Sequence, residues 1–151
     1  MGLRIHFHPL VAPPADLEPF PAEVLAAMLM EHGVGGGDGA LNCILTDDAE
    51  IAVLNQRFRH KSGPTDVLAF PYTPAVDGSL IADIYVSLDR AAVQARERGE
   101  VVAREVWRLF VHGALHVAGF AHETDAAEEA MRRVQERWVE RVWPQPERPG
   151  K

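Results

Sequence analysis

The sequence predicts one soluble globular domain that mixes β-strands and α-helices, and three observations support this prediction. The chain has 151 residues, a length that suits a single domain with a sizeable core. Hydrophobic residues make up 47% of it and charged residues 25%, which is ordinary for a soluble protein. Short strand-like runs alternate with amphipathic helical segments, and the segment from Leu109 to Ala118 is apolar on almost every side. A helix of that kind is typical of a core.

The composition also indicates the cellular compartment in which we expect the protein. No apolar run approaches the length of a membrane span, and the first residues, MGLRIHFHPL, lack the apolar region of a signal peptide. Cys43 is the one cysteine, so no disulfide framework can form within the chain, and it lies in a strand-like run where we expect a small core residue. These features favour a location of the protein in the reducing cytoplasm.

The charge is unevenly distributed. The net charge of −7 argues against a protein that simply coats nucleic acid. Between Ile51 and Thr65, however, there is no acidic residue, while Arg57, Arg59 and Lys61 fall close together. Either a polyanion binds locally to this basic segment, or its residues are solvated charges at the end of a helix.

The N-terminal part predicts one strand and one helix. Leu3 to Phe7 alternates as a strand, with His6 and His8 on one face, and we interpret these two histidines as surface residues. The proline-rich residues 9–21 predict a loop, and Ala22 to Glu31 predicts an amphipathic helix.

The middle of the chain predicts a connector, a strand and a helix. The glycine-rich segment 35–39 lacks the lysine and hydroxyl residue of a P-loop and is interpreted as a flexible connector. Ala40 to Leu45 reads as a buried strand. Thr46-Asp47-Asp48 then offers an N-cap for a helix that runs to about Phe58. Its predicted apolar face comprises Ile51, Leu54 and Phe58.

The remaining elements follow the same signals. Pro71 is expected to stop a strand, Ser87 to cap a helix, and Asp125 with Glu128 to cap the last helix. The predicted elements are strands at Asp66 to Phe70 and Leu80 to Val86, joined by a turn around Asp77-Gly78, and helices from Ser87 to about Arg98, from Val102 to Ala118 and from Asp125 to Val142. Residues 1–143 are expected to form one domain, with a disordered tail over 144–151.

Three histidines carry the strongest functional signal. His116 lies four residues after His112, which places both imidazoles on one helix face, one turn apart. Gly119 can take a positive φ and end the helix, so that the chain could return His122 as a third nitrogen ligand. Three imidazoles with an open fourth position are typical of catalytic zinc.

Two alternatives to a catalytic metal site need weighing. Isolated histidines in helices are usually hydrogen-bonded core or surface residues, but three at offsets of zero, four and ten with a glycine at seven form a much rarer pattern. The spacing is that of the metzincin peptidases, except that Gly113 stands where those enzymes have their general-base glutamate. The pattern therefore favours metal binding without peptidase chemistry.

Three blocks of the sequence together resemble one family. They are HGALHVAGFAHE at His112 to Glu123, LNQRFRHKSGPTDVLAFP at Leu54 to Pro71, and IADIYVS at Ile81 to Ser87. These blocks resemble the signatures of the YbeY endoribonucleases, which are bacterial zinc-dependent factors in rRNA maturation. Along the chain the blocks also occur in the same order as in that family. The similarity spans roughly Leu41 to Trp138.

The resemblance implies a fold and a site. The fold would be α+β, a small mixed sheet packed against helices, with a three-histidine metal site at the end of a buried central helix. The resemblance implies one Zn²⁺ per chain on His112, His116 and His122, and it implies that Arg59 is needed for activity on RNA. It further implies cleavage of single-stranded rRNA near the small-subunit 3′ end, a part in ribosome quality control, and a ribosomal protein and a GTPase as partners.

The chain departs from the family pattern beside the third histidine. Phe120 and Ala121 stand where the family usually has tyrosine and aspartate. If the family's aspartate orients a metal ligand, its replacement by Ala121 implies a lower metal affinity in this chain. Ala69 replaces the usual serine and Val117 a leucine.

Roles beyond the ligands stay open. Arg59 could bind the scissile phosphate, while Arg57 and Lys61 are candidates for further phosphate contacts. The proton acceptor could be a metal-held hydroxide, the RNA 2′-OH, or the carboxylate of Asp66 or Asp83; either aspartate could equally be a hydrogen-bonding residue at a turn or strand edge. Two rival functions remain, a metal hydrolase of another substrate and a non-catalytic ribosome-assembly factor with structural zinc.

Overall fold

The computed structural model describes residues 2–34, 36–72, 80–120 and 123–144. Within these residues the fold is α+β, with one four-stranded sheet and five α-helices, as the sequence predicted. The strands are β1 (Leu3–Pro9), β2 (Gly39–Thr46), β3 (Val67–Pro71) and β4 (Leu80–Ser87). The helices are α1 (Ala22–Glu31), α2 (Asp48–Arg59), α3 (Leu88–Arg98), α4 (Val102–Val117) and α5 (Asp125–Val142), and a 3₁₀ turn lies at Ala15–Leu17.

The sheet is mixed and has β3 at one edge. Its order is β1-β2-β4-β3, in which β1, β2 and β4 run parallel and β3 pairs antiparallel with β4. Because β3 is an edge strand, it can include Pro71, which the sequence analysis expected to stop it. Gly39 belongs to β2 and not to the glycine-rich connector, and a Cβ there would meet the Leu80 carbonyl oxygen at 2.1 Å. Only glycine allows the two strands to approach so closely.

The core lies between the sheet and α4. Trp107, Phe110 and Val111 of α4 are fully buried, and Phe110 meets Phe7 and Phe20 in edge-to-face contacts with centroids 6.2 and 5.5 Å apart. Side chains of this size contribute about 1.5–3 kcal/mol each when fully buried, so the core fixes α4 firmly against the sheet. The helix that carries the two histidines is therefore anchored to the sheet by large buried side chains.

The helix caps were mostly predictable. The Asp47 carboxylate accepts from the Glu50 backbone N–H at 2.9 Å, and the Ser87 hydroxyl accepts from that of Arg90 at 3.2 Å, as expected. The prediction for α5 was one residue off, because Thr124 is the cap and its hydroxyl accepts from the Ala127 N–H at 3.1 Å. Asp125 instead occupies the first turn, where its charge complements the helix dipole.

One apolar residue lies where the sequence analysis did not place it. Ile51 is fully buried on α2, but Phe58 is 57% exposed. Phe58, on the last turn of α2, contacts the ring of Phe70 instead of entering the core. The apolar face predicted for α2 is therefore buried at Ile51 but not at Phe58.

The other predictions have mixed outcomes. Cys43 is fully buried, and His6 and His8 are exposed, as expected. No helix in the described ranges is long and apolar enough to cross a membrane. The predicted turn at Asp77-Gly78 and residues 145–151 of the predicted tail lie outside the described residues.

Candidate active site

The C-terminal end of α4 positions the histidine pair. Gly119 has a φ of +101°, which an L side chain rarely adopts, and it ends the helix as predicted. The Phe120 N–H donates to the Leu115 carbonyl and the Gly119 N–H to the His116 carbonyl, both at 3.0 Å. This is a Schellman motif, and it fixes His116 in the last turn of a rigid helix.

His112 and His116 meet through their Nε2 atoms. These two nitrogens lie 3.0 Å apart, and the ring centroids are 4.5 Å apart. Both side chains are partly buried. The structure thus brings together the two imidazoles that the spacing predicted, while His122 lies outside the described residues.

Gln135 of α5 fixes the orientation of His112. The Gln135 Oε1 atom lies 2.7 Å from His112 Nδ1, and the Gln135 amide nitrogen donates to Glu136 Oε2 at 3.1 Å. A carboxylate accepts hydrogen bonds, so the Gln135 NH₂ faces Glu136 and its carbonyl oxygen faces the imidazole. His112 must then carry its proton on Nδ1, which leaves the Nε2 lone pair directed at His116.

A buried ionic cluster holds Glu136 in turn. Arg108 donates to both oxygens of Glu136, at 2.9 and 3.0 Å, and also donates to Glu100 and Glu105. Arg104 lies next to it and bonds Glu100 at 2.7 Å. Arg108 is 3% exposed, so its ion pairs lie in a medium where charge interactions are strong and unpaired charges are costly.

The cluster shifts the acid–base behaviour of its members. Burial alone would raise the pKa of Glu100 and Glu136, but the hydrogen bonds and charge of Arg108 outweigh it and hold both pKa values below the ordinary range. For Glu105, which is 1% exposed, burial dominates and its pKa is raised. Burial would lower the pKa of Arg108, but its three carboxylate partners raise it. Glu136 is therefore ionised at neutral pH and able to accept from Gln135.

The donor set fits zinc as far as the structure describes it. Two nitrogens on tetrahedral Zn²⁺ at the usual bond length lie about 3.3 Å apart, close to the 3.0 Å between the two Nε2 atoms. An outer-shell acceptor on the second ring nitrogen, here Gln135, is the usual companion of a metal-ligating histidine. In the described ranges no group of three or more potential ligands comes together, so the third ligand stays a prediction.

Gly113 has a packing reason to be glycine. A Cβ at this position would meet the Ile84 side chain at 2.6 Å and that of Val67 at 3.3 Å. Here α4 lies close to the sheet, and any side chain would require the Ile84 side chain to shift. This close packing of α4 on β3 and β4 favours glycine at the position where the peptidases carry their general base.

A cavity of about 430 Å³ joins the histidine pair to the predicted arginine. Arg59 donates from Nη2 to the Ala69 carbonyl at 2.9 Å, and its guanidinium lies 5.6 Å from the centroid of Phe70. The lining includes β3 and the last two turns of α4. The lining residues are Arg59, Asp66, Val67, Leu68, Ala69, Pro71, His112, Gly113, His116 and Val117.

The two candidate aspartates lie in different places. Asp66 lines the cavity, and its Oδ2 atom accepts from Gln94 at 3.1 Å. Asp83 instead accepts from Asn42 at 2.9 Å and from the Tyr72 hydroxyl at 2.8 Å on the sheet face opposite to α4. Asp66 thus lines the same cavity as the two histidines. Asp83 is a hydrogen-bonded strand residue, which was the structural alternative considered for it.

The two basic residues predicted to contact phosphate lie outside the cavity lining. Arg57 and Lys61 are exposed, on the last turn of α2 and just beyond it. The Arg57 guanidinium lies 5.7 Å from the centroid of the Phe58 ring. Both residues are near enough in sequence to Arg59 to extend its positive charge along the surface.

Sequence reasoning missed Gln135 and the exposure of Phe58. Gln135 lies 23 positions from His112 on another helix, and no local pattern marks it as a partner. No local signal marked the exposure of Phe58, because charged neighbours such as Arg57 and Arg59 also flank core-facing residues of amphipathic helices.

Comparison with known proteins places the chain in one family. The family described as Endoribonuclease YbeY matches residues 13–142 of the chain. The chain is similar to the Endoribonuclease YbeY of Aquifex aeolicus, with 40% identity over 114 residues that cover 75% of this chain and 76% of that protein. It is 38% identical to the Thermus thermophilus protein of the same description over 128 residues, which cover 83% and 91% of the two chains.

A solved structure shows a similar fold. The solution structure of a Thermotoga maritima protein matches over 99% of both chains, with a TM-score of 0.62 and 32% sequence identity. The two proteins therefore share a similar overall fold.

Proposed function

This chain belongs to the YbeY endoribonuclease family, and we propose that it is a zinc-dependent enzyme that cuts single-stranded RNA in the maturation of ribosomal RNA. The observation that carries the proposal is the cavity in which Arg59, from α2, faces His112 and His116, from α4. These residues lie more than fifty positions apart, and the fold brings them to one site.

The metal part of the proposal rests on His112, His116 and, from the family resemblance, His122. When bound, zinc supplies Lewis-acid chemistry that stabilises negative charge on phosphate oxygens. Gln135 holds His112 in the tautomer whose Nε2 lone pair is available to a cation. A closed structural site normally has a fourth protein ligand, often cysteine, but Cys43 is buried in the core and cannot serve.

Arg59 is the phosphate-binding residue of the proposal. One of its N–H groups is held by the Ala69 carbonyl, so the guanidinium is oriented before substrate arrives. The planar fork of the remaining N–H groups matches two phosphate oxygens, and it can stabilise the charge that develops on the phosphate during cleavage. Because its orientation is set in advance, little conformational entropy is lost on binding.

Asp66 is the carboxylate among the cavity-lining residues, and we assign it the handling of protons. Its second oxygen is anchored by Gln94, which leaves the carboxylate in a defined orientation toward the cavity. It can accept a proton from the attacking group, or hold that group through a hydrogen bond.

The substrate is proposed to be RNA of the small ribosomal subunit. A part in ribosome quality control belongs to the same proposal.

The test is cleavage of a single-stranded rRNA 3′-end fragment by the purified protein, with His116→Ala and Asp66→Asn alongside and metal content measured on each. The wild type should hold about one zinc and cut the fragment but not its duplex. His116→Ala should lose both zinc and cleavage, whereas Asp66→Asn should keep zinc and cut slowly.

The same assay separates the rival functions. Equal cleavage by wild type and His116→Ala would trace the activity to a contaminant and contradict the proposal. Zinc binding and ribosome association without cleavage would favour a non-catalytic assembly factor. Turnover of a panel of peptides in place of RNA would favour another kind of hydrolase.

A further inference from the structure

We propose that Phe58, supported by Phe70 and flanked by Arg57 and Arg59, is a base-stacking subsite for the single-stranded RNA that enters the cavity. The proposal deepens the function above and rests on it. It assigns a binding role to an aromatic surface on the side of β3 that faces away from the histidines.

The rings of this surface are unusually exposed. Phe58 is 57% exposed and Tyr72 is 60% exposed, although phenylalanine is among the residues most often buried. Neither ring serves the core between the sheet and α4. An aromatic ring left in water offers a face on which another planar group can stack.

The rings form a continuous row. Phe58 meets Phe70 edge to face, with centroids 5.5 Å apart and planes at 64°. Phe70 in turn meets Tyr85 with centroids 5.9 Å apart. Tyr72 follows Phe70 by two residues along an extended strand and so lies on the same face, about 7 Å farther along. Phe70 is half-buried and holds the exposed ring of Phe58 in a fixed position.

The charge beside the rings suits a nucleic acid. The Arg57 guanidinium lies 5.7 Å from the Phe58 centroid, and that of Arg59 lies 5.6 Å from the Phe70 centroid. Asp83 is a carboxylate on the same face, but Asn42 and Tyr72 donate hydrogen bonds to its two oxygens. Exposed aromatic faces interleaved with guanidinium groups provide stacking for bases and contacts for phosphates together.

Arg59 connects the aromatic row to the cavity. It lies over Phe70 on the outer face of the sheet, while its hydrogen bond to the Ala69 carbonyl brings it to the cavity wall. Since β3 is the edge strand, an RNA strand can pass over this edge. One nucleotide would then stack on Phe58 while the phosphate of a neighbouring nucleotide contacts Arg59. The subsite accepts unpaired bases only, because a base in a duplex has no exposed face.

The test measures binding of a short 2′-O-methylated single-stranded oligonucleotide to the full-length, metal-loaded protein by fluorescence anisotropy at one salt concentration. The same measurement uses an abasic oligonucleotide of equal length and charge. The variants are Phe58→Leu, which stays apolar but loses the ring, and Phe58→Trp, which keeps an aromatic face. Leu10→Ala, 64% exposed just past β1 at the opposite edge of the sheet, is the matched control.

Phe58→Leu should bind the base-containing oligonucleotide about 5- to 150-fold more weakly than wild type, as expected for the loss of one stacked base. Phe58→Trp and Leu10→Ala should bind like wild type. The abasic oligonucleotide should bind equally to all four proteins, because it offers no base to stack.

Three outcomes would overturn the subsite. Phe58→Leu could bind the normal oligonucleotide as wild type does, or it could lose the same affinity for the abasic one. Unchanged RNA binding combined with weaker association with small-subunit proteins would assign the surface to a protein partner, which also overturns it. If wild type cuts unmodified RNA while Phe58→Leu binds normally, only the subsite fails; if wild type neither binds nor cuts RNA, the proposed function itself fails.

Discussion

The two sides of the cavity are built in opposite ways. On one side, a buried network runs from His112 through Gln135 and Glu136 to Arg108, and each member is held by hydrogen bonds. On the other side, an exposed rim carries Arg59 and Phe58, held by a backbone hydrogen bond and by contacts with aromatic rings and a guanidinium group. The buried network should therefore couple the proposed metal ligands to the stability of the fold, whereas substitutions in the exposed rim should leave that stability unchanged.

The difference matches what each side must do in the proposed function. Metal ligands need fixed positions within a few tenths of an ångström, which a buried and fully bonded network provides. A surface that receives an RNA strand needs accessible faces and charges, and these are incompatible with burial. Substitutions in the buried network should therefore alter stability and metal affinity, and those in the exposed rim only RNA binding and cleavage.

The largest expected effect is in the buried network. Arg108→Ala removes the partner of three carboxylates and should lower the free energy of unfolding by about 3–5 kcal/mol. Urea unfolding at neutral pH measures this change. Arg132→Ala, which breaks an exposed pair with Glu129, is the control and should leave the unfolding midpoint almost unchanged. Equal effects of the two substitutions would show that the cluster contributes no more than a surface ion pair.

The next effect is in the exposed rim. Arg59→Ala should slow cleavage of single-stranded RNA by about 10²- to 10³-fold, the usual cost of removing one group that stabilises charge in the transition state. Zinc content and the unfolding midpoint should stay at wild-type values, because Arg59 contacts neither histidine. Arg59→Lys should recover only part of the rate, since an ammonium cannot bind two phosphate oxygens side by side. Loss of zinc from Arg59→Ala would contradict this separation.

A smaller effect distinguishes Gln135 from the residues around it. Gln135→Leu removes the acceptor that holds His112, and should weaken zinc affinity about 10- to 100-fold. Competition with a chelator measures the affinity directly, without an activity assay. Gln135→Glu keeps an acceptor at this position and should retain more affinity than the leucine variant. Identical zinc affinities for wild type and Gln135→Leu would show that the imidazole needs no outer partner.

The smallest expected effect is a pH dependence. The pKa values of Glu100 and Glu136 are lowered in the folded protein, so their stabilising contribution is complete above the ordinary carboxyl pKa and is lost as pH falls through the lowered values. The raised pKa of Glu105 acts in the opposite sense and offsets part of the loss. Glu136→Gln should thus be less stable at neutral pH but lose less stability on acidification, as followed by urea midpoints between about pH 7 and about pH 3. Parallel curves for wild type and Glu136→Gln would refute the proposed pKa shift of Glu136, and Glu97→Gln, at an exposed position on α3, serves as the control.

The sequence predicted most helix boundaries because caps and helix ends depend on residues that are close together in the chain. Asp47 and Ser87 cap the helices that follow them, and Gly119 ends α4, since each depends on residues within a few positions. Gly39 was misassigned because its role depends on how closely Leu80 approaches from another strand. Phe58 was misplaced because helical periodicity does not reveal which turn of a helix packs on the core.

The candidate site was predictable to a similar extent. His112 and His116 share a helix, so their spacing predicted their meeting, and the resemblance identified Arg59. Gln135 and the ionic cluster depend on the packing of α5 on α4, which no spacing encodes. The positions of Asp66, just before β3, and Asp83, in β4, likewise depend on how the sheet packs on α4.

The most direct test of the account measures zinc affinity and RNA affinity on four proteins: wild type, Gln135→Leu, Arg59→Ala and the double variant. The account predicts that Gln135→Leu weakens zinc binding and Arg59→Ala weakens binding of the 2′-O-methylated oligonucleotide to the zinc-saturated protein. Each should leave the other affinity unchanged, and the two effects should appear together in the double variant. Loss of zinc in Arg59→Ala, or undiminished RNA affinity in it, would contradict the division between a buried network that holds the metal and an exposed rim that binds RNA.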